Sequence, residues 1–338
     1  MGLQRFPAGR RTNLALLVLL SVVLLTGALA FAIGAEWGRW VAIGHGIAGV
    51  AIVLLGPWKS AISVRGYGKR GPASWPSIGL ALLVVTAVVT GVTHATGLLR
   101  GVDVMRIHVG AAVASIPLAV WHIVARPVRP RKTDLSRRAL LRGGVLLGGS
   151  VAAYGAMEGL VRATSLPGAD RRFTGSYEAA SLDPEAMPVT QWLDDSVPHL
   201  DVDAWRLRVV TPRGERAITF QELSGFGDRV RATLDCTGGW FSQQDWEGVL
   251  LWRLLGDAGE ARSVGVGSLT GYGRRFPVPD ARGLLLATRV GGQPLSAGHG
   301  APVRLVAPGR RGFWWVKWVD RIEVGSTPWW WQWPFPLT

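Results

Sequence analysis

Residues 231–249 read Arg231-Ala-Thr-Leu-Asp235-Cys236-Thr-Gly-Gly-Trp240-Phe-Ser-Gln-Gln-Asp-Trp246-Glu-Gly-Val249. An apolar, strand-like run delivers a cysteine to a Thr-Gly-Gly turn, which fixes the thiol at a strand end. Beyond the turn, Trp246, Val249, Leu250 and Leu254 stand at helical spacing and predict a helix. Cys236 is the sole cysteine of 338 residues. That excludes an internal disulfide framework, a Cys-x-x-Cys redox pair, and zinc or iron–sulfur sites built from several thiolates of this chain. Around this stretch, from Asp201 on, the chain reads as short alternating strands, Trp205–Val210 and Ala217–Phe220, with a turn at Pro212-Arg-Gly214 and many glycines. The expectation is a β-rich half with a few helices. Farther on comes Pro294-Leu-Ser-Ala-Gly-His299-Gly-Ala-Pro-Val-Arg304-Leu-Val-Ala-Pro308-Gly-Arg-Arg-Gly312-Phe-Trp-Trp-Val-Lys317-Trp-Val-Asp-Arg-Ile-Glu-Val324. Neither block contains GxGxxG, a P-loop, HExxH or a GxSxG elbow.

The N-terminal half has a different character. The chain is 48% apolar and only 18% charged, too apolar for a disordered chain or an ordinary soluble enzyme. Its net charge of +14 lies wholly between Met1 and Arg142, where 17 Lys/Arg face three acids. Four apolar stretches, at about 13–34, 40–58, 77–98 and 105–125, each approach the ~20 residues that span a bilayer as a helix. A fifth, glycine-rich, runs over about 139–161. Arg5, Arg10 and Arg11 precede the first stretch; Lys59, Arg65, Lys69 and Arg70 join the second and third; seven more basic residues from Arg126 to Arg142 join the fourth and fifth. The alternate loops hold only Arg39, Arg100 and Arg106. The positive-inside rule therefore places this chain in the cytoplasmic membrane as a multi-pass protein, with its N-terminus inside and everything after about residue 162 outside. A nucleic-acid partner is not expected. The stretch Asp134-Leu-Ser-Arg137-Arg138-Ala-Leu-Leu-Arg142 before the fifth span resembles an internal twin-arginine export signal, which implies a domain exported folded with its cofactor. The plainer reading is a basic flank that contains two arginines.

Four of six histidines, His45, His94, His108 and His122, fall in the expected spans, where ligating side chains are costly and mark function. The topology puts His45, His94 and His108 in the outer leaflet, with His122 alone at the inner side. Two imidazoles at equal depth on neighbouring helices suit a six-coordinate b-type haem. Gly44-His45-Gly46 and Arg106-Ile-His108-Val-Gly110 resemble the small four-helix cytochrome b561-like membrane domains. That resemblance implies one outer haem b with His45 and His108 as axial pair, His94 remaining a rival for either place. The bland alternative is an anchor whose histidines hydrogen-bond between helices.

The Cys236 block and the 294–324 block together resemble the molybdopterin-binding domain of the sulfite oxidase family, over about residues 173–325. Within it they are similar to bacterial periplasmic methionine sulfoxide reductases, whose catalytic subunit works with a separate haem-b membrane subunit. The resemblance implies Mo-molybdopterin held by the Cys236 thiolate, with Arg304 and Lys317 as its cationic partners. His299 stands where the family has His or Asn, and Trp315 and Val316 are expected to offer backbone amides. Soft thiolate ligation suits the metal, and an anionic carrier suits fixed cations. Upstream, Thr174, Tyr177 and Glu178 align with the family's cofactor contacts, although its asparagines are missing here. Ser268 or Thr270 is a further candidate hydroxyl. Tyr272, Arg274 and Arg275 read either as an anion-accepting substrate pocket or as a solvated turn. No Ig-like dimerisation domain is expected after Val324. The tail Trp329-Trp-Trp331-Gln-Trp333-Pro-Phe335 reads as an aromatic patch for the outer leaflet or for the helical part.

The expected class is α+β: about five transmembrane helices, then a β-rich molybdopterin domain. The expected organisation is 1–130 as a cytochrome b-like bundle, 131–165 as the twin-arginine-like motif with the fifth helix, and 166–338 as the catalytic domain. The expected function is two-electron chemistry, oxygen-atom transfer included, on a small-molecule or protein substrate at the outer face. Electrons would pass through haem to the quinone pool or another membrane carrier. The competing class is a membrane cytochrome or anchor carrying a non-catalytic binding domain.

Overall fold

The computed structural model describes residues 9–70, 75–99, 103–192, 195–256 and 258–336. Arg5 and Arg100 lie outside the described residues, as do the side chains of Arg65, Lys69 and Arg70. The chain divides into two compact units, Met1–Phe31 with Trp37–Gly175, and Ala32–Glu36 with Ser176–Thr338.

The first unit is built from α1 (Arg10–Ala32), α2 (Gly38–Arg70), α3 (Trp75–Thr96), α4 (Val104–Ala125) and α5 (Arg137–Ala163). All five are long and apolar enough, by length and composition, to cross a membrane. Their apolar side chains are not gathered inside: Leu25, Leu82, Val113 and Val145 are exposed, whereas Ala51, Ala111, Ala119 and Ser150 are buried. Small residues at the contacts let backbones approach while bulky ones face outward, the pattern of helices packing in lipid. α3 lies against α4 and α2 against α5. Ser136 occupies the N-cap position of α5, so Arg137 and Arg138 form its exposed first turn. Just before it, Asp134 receives Arg10 in a two-pronged ion pair of 2.6 and 2.7 Å. The chain stays with this unit to Gly175, ten residues past the expected boundary at 165.

The second unit carries two sheets. Its strands are β1 (Tyr177–Glu178), β2 (Arg206–Thr211), β3 (Gly214–Thr219), β4 (Asp228–Asp235), β5 (Trp240–Leu250), β6 (Ser263–Ser268), β7 (Gly273–Pro277), β8 (Leu285–Val290), β9 (Gln293–Pro294), β10 (Arg304–Val306) and β11 (Val319–Gly325). One sheet runs β1-β5-β8-β10, with β4 also paired to β5 and β9 to β8; the other runs β3-β2-β11-β6-β7. Strand β2 alternates, Leu207 and Val209 being buried and Arg206 and Arg208 exposed, as a half-buried strand requires. A shared core of Leu207, Val209, Trp246, Phe276, Leu286 and Ile322, all fully buried, fastens this unit. Helices plus a β-rich half fit the α+β class.

The helix expected after the Thr-Gly-Gly turn is a strand. Trp240–Leu250 pairs with β4 on one side and β8 on the other, and only Leu254 of the expected helical set lies on a helix, the single turn Trp252–Leu255. The register against β8 shifts between Glu247 and Gly248, where β8 carries the extra residue, Thr288, and Trp246, Gly248 and Val249 are all buried. Buried apolar residues three apart on a strand imitate helical spacing.

Candidate functional site

Cys236 follows the last residue of β4. Its N–H donates to Trp240 O at 2.8 Å and Gly239 N–H donates back to its carbonyl at 3.2 Å, closing the turn before β5. The thiol is half-buried; Gly238 N–H points at Sγ from 3.3 Å and the Thr190 hydroxyl stands 3.4 Å away. Gly312 lies behind it, where a Cβ would come within 3.2 Å of the Cys236 Cα. The turn is pinned from below by charge. Asp235 and Arg311 form a fully buried ion pair at 2.5 Å, Ser176 donates to the same carboxylate oxygen at 2.6 Å, and Arg311 Nη2 donates to Cys236 O at 3.2 Å. A buried charge pair persists only when well hydrogen-bonded, and here the surplus donors fix the backbone that carries the thiol.

Arg304, on β10, is fully buried. Its Nη1 donates to His299 O at 3.1 Å, its guanidinium stands over Trp246 and Trp315 at 5.1 and 5.6 Å, and its Nε has no hydrogen-bond partner. Lys317 is held from three sides, donating to Thr190 O (2.8 Å), Gln191 Oε1 (3.0 Å) and Gly298 O (2.6 Å). Gly300, at φ +105°, permits their approach: a Cβ there would be 3.0 Å from that of Arg304 and 3.1 Å from that of Lys317. Burial pulls Arg304 down to about 9, the Cys236 charge opposing it. Burial likewise pulls Lys317 down to about 7, Arg304 pushing the same way and Cys236 and Asp195 opposing. Neither cation is in an ion pair with a carboxylate among the described residues. A fully buried cation and a half-buried one without a counter-charge are costly, and they define a place for an anion.

His299 is buried beside them. Its Nε2–H donates to Met187 O at 3.1 Å, which leaves Nδ1 to accept from the Ser296 hydroxyl at 2.8 Å. Burial and then the two cations keep this imidazole below its ordinary pKa, so it is neutral.

Other expected site residues have different roles. The Trp315 N–H donates to Gly312 O at 2.9 Å, so this amide is not available to a cofactor, and its indole N–H donates to Arg310 O at 3.2 Å. Val316 is buried, its carbonyl accepting from Leu305 N–H at 2.7 Å; its own N–H has no partner among the described residues. Tyr177 and Glu178 form β1, paired in parallel with Trp240 and Phe241, and the Glu178 carboxylate is spent on Ser181 N–H at 2.7 Å. Thr174 belongs to the first unit. Ser268 and Thr270 bond each other at 3.1 Å, and Thr270 donates to Asp195 at 3.3 Å. Tyr272 and Arg274 are neither a solvated turn nor free to bind substrate. The Tyr272 hydroxyl donates to Phe313 O, while Arg274 donates to Trp333 O at 3.0 Å and Arg275 to Trp331 O at 2.8 Å. Burial holds Arg274 at about 10. Ser176, Asp235, Arg311 and Thr190 were not singled out in the sequence. Asp235 and the Gly309–Gly312 turn flank recognisable motif residues, but their pairing spans 76 positions and leaves no local signal.

In the helical unit, His45 and His108 come together, with ring centroids 6.0 Å apart and planes perpendicular. His45 Nδ1 donates to Val23 O at 3.1 Å and His108 Nδ1 to Ala87 O at 2.7 Å. Each therefore keeps an unprotonated Nε2 for which no partner appears among the described residues. Gly27 and Gly91 make room, since a Cβ at either would lie 3.1 Å from the imidazole Cε1. His94 Nε2 is bonded to Gly175 O at 2.6 Å. His122 sits 3.1 Å from the Ser77 hydroxyl. No cluster of three or more His, Cys, Asp or Glu able to hold a metal occurs among the described residues.

Comparison with known proteins agrees with this geometry. Residues 194–333 match the family model described as the oxidoreductase molybdopterin binding domain. The chain is 33% identical over 166 residues to mitochondrial sulfite oxidase of Macaca fascicularis, a match covering 38% of this chain and 30% of that one. It is also 51% identical over 45 residues to an NADPH nitrate reductase of Mycosarcoma maydis, covering 13% and 5% respectively. Among solved structures, sulfane dehydrogenase SoxCD of Paracoccus pantotrophus matches at 26% identity over 39% of this chain and 41% of that one, with a TM-score of 0.37. The chain thus spans about a third of the sulfite oxidases it matches. Its C-terminal half carries a molybdopterin-binding oxidoreductase domain related to those of sulfite oxidase and nitrate reductase.

Proposed function

We propose that this chain is a membrane-anchored molybdenum oxidoreductase whose outer half performs two-electron chemistry, oxygen-atom transfer included, and exchanges electrons with the quinone pool or another membrane carrier through one b-type haem. The observation that carries the molybdenum reading is the pair Arg304 and Lys317: a fully buried guanidinium with an unpartnered Nε and a half-buried ammonium, neither paired with a carboxylate among the described residues, beside a thiol at a strand end. A pterin phosphate supplies the missing charge, and the cofactor, when bound, supplies a metal that cycles by two electrons. The chain's part is to hold and orient. Cys236 gives the single thiolate, positioned by Gly238 N–H and by the Asp235–Arg311 pair under its turn. Arg304 and Lys317 bind the anion, and neutral His299 braces the Arg304 carbonyl partner without adding a third charge.

The haem reading rests on His45 and His108. Their rings lie 6.0 Å apart on neighbouring helices, and these two residues would hold the haem iron, which would supply one-electron transfer. Nδ1–H bonds to backbone carbonyls are the usual means of orienting a ligating imidazole. The five apolar helices, the one-sided distribution of basic loops and the Arg137–Arg138 motif support a cytoplasmic-membrane protein with its N-terminus inside and its substrate, small molecule or protein, met outside.

Quantifying molybdenum and iron in detergent-purified protein, wild type beside Cys236→Ser, tests the reading. One molybdenum per chain, lost in the variant while iron is retained, is the expected result. Iron without molybdenum in the wild type would leave a membrane cytochrome with a non-catalytic outer domain.

A further inference from the structure

The tail beyond β11 is not absorbed by the site, yet it is a built feature. Arg274 Nη1 and Arg275 Nη1 donate to the carbonyls of Trp333 and Trp331, Gln332 exchanges bonds in both directions with the Arg275 backbone, and Trp192 Nε1 donates to Pro336 O at 3.0 Å. The main chain is thus saturated with partners and rigidly held on β7. Its indoles are not: Trp330, Trp331 and Trp333 are 61%, 70% and 71% exposed. Three large exposed rings within four residues, on a backbone already ordered, form an apolar patch that a water-facing surface rarely keeps. Indoles, apolar in body with one N–H donor, are favoured at the headgroup level of a bilayer.

We propose that this platform is a monotopic anchor that seats the outer unit in the headgroup layer of the outer leaflet. The proposal rests on the membrane reading above. The occupant is argued from what borders the patch. Phe335 of the tail stacks on Phe313 at 5.7 Å. A few residues before Phe313, the Gly309–Arg311 turn is covered by Gly34, where a Cβ would lie 2.8 Å from Gly309 O. Gly34 belongs to Ala32–Glu36, the short connection between two membrane-length helices, and this segment is part of the outer unit. The tail and the segment that joins two membrane-length helices therefore border one stretch of chain, Gly309–Phe313, and lipid headgroups are the occupant we assign to the indoles.

The test is depth-resolved quenching of the molybdenum-loaded protein in nanodiscs of phosphatidylcholine and phosphatidylglycerol. An environment-sensitive maleimide dye is placed at Trp331→Cys, with Val113→Cys on α4 as the span control and wild type reporting any labelling of Cys236. Molybdenum content confirms that each variant keeps its fold. Loss of the position-331 emission with headgroup-nitroxide lipid, and little loss with chain-end nitroxide, supports the anchor. Emission at 331 insensitive to both lipids, while the position-113 emission is quenched by the chain-end probe, overturns it; added shielding from aqueous iodide would then identify a protein surface, such as a second copy, as the occupant. If neither position responds to lipid, the membrane reading falls and the anchor falls with it, a result distinct from the first.

Discussion

Lys317 makes the anion site measurable without its ligand. Folding carries its ammonium from water, where it titrates near 10.5, into a pocket where it titrates at about 7. Between those values the unfolded chain binds the extra proton, so the stability of the cofactor-free protein rises with pH across this window and levels off above it. At 1.36 kcal/mol per pH unit, the whole displacement amounts to roughly 5 kcal/mol. The three acceptors around Nζ offset part of that, which makes it a ceiling. Arg304, which titrates at about 9, is present in both wild type and Lys317→Met and cancels in their comparison. Between pH of about 7 and about 9 the gain from Lys317 is roughly 2 kcal/mol. For a domain of this size that is a rise of about 4–8 °C in midpoint. The assay is thermal unfolding of protein made in cells unable to synthesise the cofactor, wild type against Lys317→Met across that pH range. The variant orphans three acceptors and shifts in absolute stability, so the difference in slope is the readout. A wild-type midpoint that climbs with pH relative to the variant is expected, and the climb should shrink once the anionic cofactor is loaded. Parallel curves for the two apoproteins would refute the claim that Lys317 is a buried cation awaiting its counter-charge.

The other perturbations are simpler. His45→Ala and His108→Ala should each abolish the reduced-minus-oxidised b-type spectrum, whereas His94→Ala, whose Nε2 serves Gly175, should keep it; a signal surviving both of the first two would dismiss the axial pair. Asp235→Asn removes the charge partner of fully buried Arg311 and should destabilise the second unit by about 3–5 kcal/mol, read as a lowered unfolding midpoint, because the guanidinium stays behind. An unchanged midpoint would mean that the pair does not support the thiol turn.

What the sequence disclosed depended on the range of each signal. The five helices were legible because a membrane-length apolar run is a local property, and each observed helix covers its expected stretch to within a few residues, α2 continuing beyond its span to Arg70. β2 and β3 were legible by alternation. β5 was misread because Trp246 and Val249, three apart, are both buried in one strand held between β4 and β8, partners that nothing in Trp246-Glu-Gly-Val249 announces. Cys236, Arg304 and Lys317 were legible through motif resemblance, and in the structure Arg304 and Lys317 flank Gly300 and both lie within the electrostatic reach of Cys236. The Asp235–Arg311 brace and the Thr190 contacts were not, since they join segments distant in the chain. Arg274 was open to a substrate-binding reading for the same reason: its acceptors lie some 60 residues away in the tail.

The membership of Ala32–Glu36 in the second, β-rich unit has a practical corollary for anyone wishing to isolate that half. A gene started after α5 would encode every strand yet omit five residues of the unit's own surface, uncovering the Gly309–Arg311 turn whose last residue braces Cys236. Supplying the pentapeptide segment in trans, or splicing it back as a tethered leader, would be the rational remedy for a poorly behaved excised half.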